Sequence, residues 1–444
     1  MIGLKTFPLG GVHPEEGKFT AQKAIEILPI PERVYIPLSQ SLGAPSVPII
    51  NKGDRVKTGQ LIAKGEAFIS ANIHSSVTGT VEKIDEWIDA SGYRKKTIII
   101  KTEPDEWEEG ILLNHQLNPT ITLTKEEIIQ RVKEKGIVGM GGATFPTHVK
   151  LSIPQGKKAE YLIINGVECE PYLTSDHRLM LEKGEEILIG IQILMKAIEV
   201  NKAIIGIEAN KMDAIEHLSQ LAQKYKGIEV QGLKLKYPQG AEKQLIKALV
   251  NREVPSGKLP IEVGCVVQNV GTAFAVYEAI QFNKPLIDRV VTISGKKFNG
   301  GNFLVRIGTP IQALIDQCGG LPENTEKIIN GGPMMGKALV STEVPVTKGT
   351  SGILIFTNEM SHRMPVYSCI RCGKCVSVCP MGLEPILLEK LVENKNWEMA
   401  ESEHIIDCIE CGSCHYTCPA GRPLLDMIRL GKNKVNQIIR SRGK

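Results

Sequence analysis

Cys369-Ile-Arg-Cys372-Gly-Lys-Cys375-Val-Ser-Val-Cys379-Pro380 decides what the C-terminal part of this chain folds around. The same C-x2-C-x2-C-x3-C-P spacing returns 39 positions later as Cys408, Cys411, Cys414 and Cys418, closed by Pro419. Three thiolates within seven residues wrap one corner of an iron–sulfur cube, and in such paired motifs the fourth ligand comes from the other copy. The spacing therefore assigns Cys369, Cys372, Cys375 and Cys418 to a first 4Fe–4S cluster. Cys408, Cys411, Cys414 and Cys379 go to a second. A structural zinc site usually spreads two close pairs about a longer loop, and disulfide-dense folds are mostly short and secreted. Neither suits this crowding in a chain of 444 residues. Between the motifs the sequence reads as helical, with Pro385 suited to the first turn of a helix running to about Ala400. Such centres carry electrons one at a time.

Working upstream, short strands at 290–294, 303–307, 328–330 and 353–356 surround one helix at 311–317, a small α+β module of β-grasp type. Before about Pro285 strands and helices alternate. Thr124 with Glu127 forms a capping box for a helix stopping at Gly136. Strands at 161–165, 203–208, 228–236 and 263–268 are separated by helices around 179–198, 212–225, 241–250 and 272–282. That alternation predicts a largely parallel, layered α/β sheet. The first segment, to about Leu117, is β-rich: turn signals at 52–59 and 74–80 precede strands at 60–63 and 81–84. This pair resembles the barrel-sandwich fold of biotinyl and lipoyl carriers. Those carriers present a modifiable lysine at a hairpin tip, but here the tip falls near Phe68 with no lysine between Ala67 and Ser70. The expectation is a multidomain α/β and α+β chain. It comprises a barrel-sandwich hybrid over 1–119, a layered α/β domain over 120–284, a β-grasp module over 285–358 and a helical two-cluster domain over 359–444.

The length exceeds what one core serves, while 42% apolar and 23% charged residues are ordinary for a globular protein. A net charge of +4 gives no reason to expect nucleic acid as a partner. The one basic concentration is the tail of Arg429, Lys432, Lys434, Arg440, Arg442 and Lys444. It reads as a solvated helix end, or more sharply as a contact for an acidic protein or an anionic membrane. No basic-then-apolar leader opens the chain. The most apolar stretch, 187–198, contains Gln192 and Lys196 and is too short to cross a bilayer. Reduced thiolates in such a chain point to the cytoplasm.

Val138-Gly-Met-Gly-Gly-Ala-Thr-Phe-Pro-Thr-His-Val-Lys150 follows a helix rather than a strand and lacks the third glycine of the dinucleotide fingerprint. It offers backbone that a flat or phosphorylated ligand approaches closely, with Lys150 supplying positive charge. Asn165-Gly-Val-Glu-Cys-Glu-Pro171, Tyr237-Pro-Gln-Gly-Ala-Glu242 and Val267-Gln-Asn-Val-Gly-Thr272 lie at strand ends, where open α/β sheets hold ligands.

Gly-x-Gly-Gly-Ala-x-Phe-Pro followed by Asn-x-x-Glu-x-Glu-Pro resembles the flavin-binding subunit of respiratory complex I. The resemblance implies FMN contacts from Gly139, Gly141, Gly142, Lys150, Asn165, Glu168, Gln268, Asn269 and Thr272. It places Phe145, Glu170 and Glu242 on the NADH side. The chain departs from that pattern at Val167, Ala241 and Gln268, where aspartate, glutamate and asparagine are usual. The domain order, the double cluster motif and the signature Gly10-Gly-Val-His-Pro-Glu-Glu-Gly-Lys18 are more similar to the C subunits of Rnf complexes, membrane-bound ferredoxin:NAD+ oxidoreductases.

That resemblance implies hydride exchange between NADH and FMN with no catalytic acid or base, then single-electron passage through the two clusters. The implied partners are membrane-embedded and peripheral subunits of the complex, a further iron–sulfur subunit and ferredoxin. The implied position is peripheral, at the cytoplasmic face of the membrane, with the first domain docking to membrane subunits. Related alternatives are a cobalamin reductase, a diaphorase subunit of a hydrogenase or formate dehydrogenase, and a non-catalytic polyferredoxin-like adaptor. Cys169, Cys265 and Cys318 read as core fillers, and His415 as solvent-facing.

Overall fold

The computed structural model describes residues 3–113 and 116–442, with 359 and 360 in backbone only; Lys444 of the basic tail lies outside the described residues. At its centre is a four-stranded, wholly parallel sheet in the order Ile228–Leu233, Ala203–Glu208, Tyr161–Asn165, Cys265–Asn269. Side chains alternate across each strand. Leu162, Ile164, Ile205 and Ile207 therefore face one layer, built by the helices Gly184–Ala197 and Val270–Gln281. Ile163 and Ile204 face the other, built by Glu242–Val250. The apolar stretch at 187–198 thus lies in a core helix, with Gln192 half-buried and Lys196 exposed, and no described helix is long and apolar enough to cross a membrane. The Thr124–Glu127 capping box forms as expected and starts the helix Lys125–Glu134, worth about 1 kcal/mol at its N-terminus.

The β-grasp module has a six-stranded sheet around the helix Ile311–Gln317. Its outermost strand is Ile25–Ile27, far away in sequence, pairing in parallel with Gly301–Arg306. The barrel-sandwich packs two sheets about Val34, Ile36, Ile62, Val81, Ile98 and Ile100. Its long hairpin, Gly79–Ile88 with Arg94–Thr102, is much longer than the expected strand at 81–84, because pairing continues past a register shift between Val81 and Lys83 where little of the strand is buried.

This domain grips its own chain. Ser76 Oγ donates to Ile307 O at 2.5 Å, Arg306 pairs with Asp105 at 2.8 Å, and Trp87 Nε1 donates to Glu343 O at 3.0 Å. The tip bearing exposed Phe68 lies beside Ala71, which enters the core of the parallel-sheet domain.

In the C-terminal domain the single helix expected to about Ala400 is two, Pro385–Glu393 and Trp397–Ser402. Lys395 adopts φ +54°, which ends the first helix, and Asn396 caps the second by accepting from Met399 N. The long helix Leu424–Arg442 packs on both.

Candidate redox site

Sequence order in the parallel sheet reverses between Tyr161–Asn165 and Cys265–Asn269. Open α/β sheets bind ligands at that switch point, beyond the carboxyl ends of the strands. Register sets Asn269 beside Asn165 there. Asn269 caps the following helix: its Oδ1 accepts from Gly271 N at 2.8 Å, and its Nδ2 donates to Asp176 at 2.7 Å. The glycine turn closes over the same point. Gly139 N donates to Phe145 O at 2.9 Å, and Met140 N to Thr272 Oγ1 at 2.9 Å. A Cβ on Gly141 would stand 2.9 Å from Asn269 Nδ2, whereas Gly142 is exposed with open space around it. Backbone bare of side chains is therefore presented to a ligand.

Lys150 reaches the same edge, pairing with Glu242 at 2.7 Å and donating to Val267 O at 3.1 Å. Asn165 Nδ2 donates to Gly240 O at 2.8 Å. Buried Gln268 keeps an Nε2 without a partner among the described residues. A donor orphaned at a switch point, bare amides and one lysine suit an anionic, hydrogen-bonding ring cofactor such as FMN.

Two predicted carboxylates are engaged elsewhere. Glu168, at φ +44°, accepts from Ser175 Oγ, Asp176 N and His177 N at 3.1, 2.8 and 3.1 Å. It neutralises the N-terminus of Ser175–Glu182, so it meets a ligand at the switch point with backbone only. Burial and that carboxylate push neighbouring Asp176 up to about 7. Glu170 accepts from Met334 N at 3.0 Å and Met335 N at 2.9 Å and lies 3.4 Å from Tyr237 OH, and burial raises it to about 7. Gly332 is required for this approach, since a Cβ there would fall 2.2 Å from Glu170 Oε2. Phe145 and Glu242 remain at the switch point, while Glu170 faces the β-grasp module.

Sequence reasoning missed the groups that hold these loops. Lys18 Nζ donates to Glu168 O, Glu170 O and Leu173 O at 2.8, 2.9 and 2.7 Å, and burial lowers it to about 8. Fully buried Lys348 donates to Asn72 O and Gly136 O at 2.8 and 2.7 Å. Arg289 donates to Lys348 O and Met140 O, backing the glycine turn. A Gly–Lys pair in Gly10–Lys18 was the only such signal in the sequence.

The eight motif cysteines line two cavities. Cys379, Cys408, Cys411 and Cys414 surround one; Cys369, Cys372, Cys375 and Cys418 surround the other. Each cavity thus combines three thiols of one copy with the fourth of the other. Backbone N–H groups of Arg371, Leu383 and Glu410 lie 3.3–3.4 Å from Cys369, Cys379 and Cys408 Sγ, the kind of hydrogen bond that tunes a cluster's sulfurs. Among the described residues no three His, Cys, Asp or Glu converge as a single-ion site. Four thiols spread about a cavity suit a polynuclear cluster, whose irons are each bound separately. Burial pushes the free Cys408 thiol up to about 11, so loading must release protons.

Tyr237 joins the two sites: its OH donates to Cys411 O at 2.9 Å and lies beside Glu170. Val12, Cys169, Met334 and Val378 pack around that contact. Cys265 is core, as expected, and Cys318 is half-buried. His415 is half-buried with Nδ1 enclosed, not solvent-facing, because its helix packs on Leu424–Arg442.

Family models match four successive stretches: the RnfC barrel sandwich hybrid domain over 5–105, the Nuo51 FMN-binding domain over 132–278, the SLBB domain over 290–338 and the 4Fe-4S dicluster domain over 368–422. The C subunit of the proton-translocating ferredoxin:NAD(+) oxidoreductase complex of Clostridium ljungdahlii is 49% identical over 90% of this chain and 87% of its own. The C subunit of the Na(+)-translocating complex of Acetobacterium woodii is 44% identical over 96% of each. The C subunit of the ion-translocating oxidoreductase complex of Rhodobacter capsulatus is 41% identical over 98% of this chain and 84% of its own. A crystal structure of NAD+-reducing [NiFe]-hydrogenase in the air-oxidized state shares the fold, with TM-score 0.50 and 18% identity over 70% of this chain and 63% of that one. With 41–49% identity to these C subunits over 90% or more of its length, the chain belongs to the RnfC family, the C subunits of Rnf-type ion-translocating oxidoreductase complexes.

Proposed function

We propose that this chain is the NAD(H)-reacting peripheral subunit of a membrane-bound, ion-translocating ferredoxin:NAD+ oxidoreductase. Its four domains divide at about 119, 284 and 358. Gly139, Gly141, Gly142, Lys150, Asn165, Gln268, Asn269 and Thr272, with the backbone at Glu168, hold FMN at the switch point. Phe145 and Glu242 face the nicotinamide dinucleotide, and Glu170 shapes that side from behind. Cys369, Cys372, Cys375 and Cys418 hold one 4Fe–4S cluster, and Cys408, Cys411, Cys414 and Cys379 the other.

FMN bound there supplies the conversion between the electron pair of a hydride from NADH and the single electrons of iron–sulfur centres. The protein's part is positional. Lys150 balances anionic oxygens, the glycine turn lets a ring lie against backbone, and buried Gln268 offers a hydrogen bond. Partner subunits of the complex, an iron–sulfur subunit and ferredoxin complete the chain at the cytoplasmic face of the membrane. The carrying observation is the contact from the Glu170 loop through Tyr237 to Cys411, which sets the candidate flavin site against the enclosed thiol cavity.

Anaerobically purified chain should yield about one FMN and about eight irons with matching sulfide, and reduce ferricyanide with NADH. Iron without bindable flavin would leave only the adaptor reading. Phe145→Ala should weaken NADH binding, read as a raised KM, with FMN retained; an unchanged KM removes Phe145 from that role.

A further inference from the structure

The signature Gly10–Lys18 touches both redox sites at once. The chain before it lies along the edge strand of the parallel sheet: Lys5 N donates to Gly232 O at 3.2 Å and Lys234 N to Lys5 O at 2.8 Å. At Gly10 it meets the C-terminal domain. Gly10 has φ +66°, and a Cβ there would lie 2.6 Å from the carbonyl carbon and oxygen of Cys379 and from Val378 O. Gly11 N donates to Val378 O at 2.8 Å. Cys379 is the thiol that crosses into the enclosed cavity. Val12 then exchanges both backbone bonds with Tyr237, at 2.8 and 2.9 Å, and Tyr237 OH reaches Cys411 O, a second wall of that cavity. Beyond it, Glu16 O accepts from Tyr172 N at 2.8 Å. Lys18 ends the run by gathering three carbonyls of the 168–173 loop at the flavin-side edge.

We propose that Gly10–Lys18 is a strap that sets the separation between the flavin-side loops and the enclosed thiol cavity, with Gly10 and Lys18 as positioning residues at its two ends. This rests on the reading above, in which electrons pass between FMN and that cluster. Transfer between centres falls steeply with distance, so a strap fixed to both walls controls the rate without touching either reactant. No side chain fits at Gly10, because any Cβ there pushes the Cys379 turn away from the flavin domain. Lys18 acts at the opposite end: without its three hydrogen bonds the acidic loop loses the backbone geometry that Glu168 and Tyr172 hold at φ +44° and +70°.

The two ends separate in stopped-flow reduction by NADH of the full, metal-replete, FMN-loaded chain. In Gly10→Ala, flavin bleaching by NADH and NADH-driven ferricyanide reduction should match the parent, while the following cluster reduction slows about tenfold or more. In Lys18→Met, KM for NADH should rise and flavin bleaching slow, in addition to a slowed passage of electrons from flavin to cluster. Parent-like cluster reduction in Gly10→Ala, with full iron and flavin, overturns the strap. So does parent-like passage of electrons from flavin to cluster in Lys18→Met. If Gly10→Ala loses its iron, Val12→Pro, which deletes the N–H to Tyr237 O and alters the Val12 packing, must show the same selective slowing for the proposal to stand. A parent chain whose flavin NADH never bleaches would instead sink the functional reading itself.

Discussion

The two thiol cavities come from one repeated motif, yet they are physical opposites. Around Cys379, Cys408, Cys411 and Cys414 the walls are Met381, Leu388, Leu425 and Ile428, and three of the four cysteines are 9% exposed or less. Around Cys369, Cys372, Cys375 and Cys418, Cys372 is exposed and Ile370 is 67% exposed, with charged Arg371 and Lys390 at the rim. Identical spacing selects which thiols meet; the domain packed against them selects what surrounds them. Added negative charge is resisted in a low-dielectric pocket and eased at a wet, cationic rim. The repeat therefore surrounds its two sets of thiols with unequal dielectric and gives them unequal access, the enclosed set packed against the parallel-sheet domain and the open set at the surface.

The strongest blow to this comparison is Cys379→Ser. If the crossed grouping is right, iron falls from about eight to about four per chain. The EPR signal of the enclosed cluster disappears, although Cys379 belongs to the motif of the open one. A normal pair of signals would break the assignment. Next comes access. Brief ferricyanide or chelator treatment should erase the signal that survives in Cys379→Ser well before the one that survives in Cys418→Ser; equal loss would mean that burial does not distinguish the cavities.

A finer test is Tyr237→Phe, which deletes a hydrogen bond to Cys411 O worth about 1 kcal/mol. Redox titration should show the enclosed cluster moving by up to about 40 mV, with the open cluster unmoved. Movement of both would locate the effect in global packing.

The smallest effect concerns pH. Burial holds Glu170 up at about 7, so the folded chain keeps a proton that the unfolded chain releases above its ordinary value of 4.5. The stability this contributes is complete below 4.5 and fades as pH rises through 7. Thermal melts of Glu170→Gln at pH 5 and pH 8 should differ less than those of the parent; an equal gap would assign the slope to other groups.

Much of this was legible because it is local. Strand Tyr161–Asn165, strand Ala203–Glu208 and helix Ile311–Gln317 fall where alternation and helical periodicity set them, since burial on one or two faces imposes those periods. The missed break at Lys395 had only a lone Asn394–Asn396 stretch to announce it, and a lysine at positive φ leaves no mark in composition. Strand Ile25–Ile27 was illegible because its partner lies near position 302. Glu168 and Glu170 stand where a ligand-binding loop puts carboxylates, but helix Ser175–Glu182 and the Gly332–Met335 turn supply backbone donors that claim them.

Sequence alone determined the chemistry: thiol spacing names the kind of cluster, and a glycine-rich turn with polar strand-end loops names a place for a flat anionic ligand, because both depend on atoms a few residues apart. Tertiary structure alone decided which cavity is enclosed, which carboxylates are claimed by backbone donors, and that nine residues near the start of the chain tie the 168–173 loop to the wall of the enclosed thiol cavity. Burial and partner choice are set by segments hundreds of residues apart, and no local pattern encodes them.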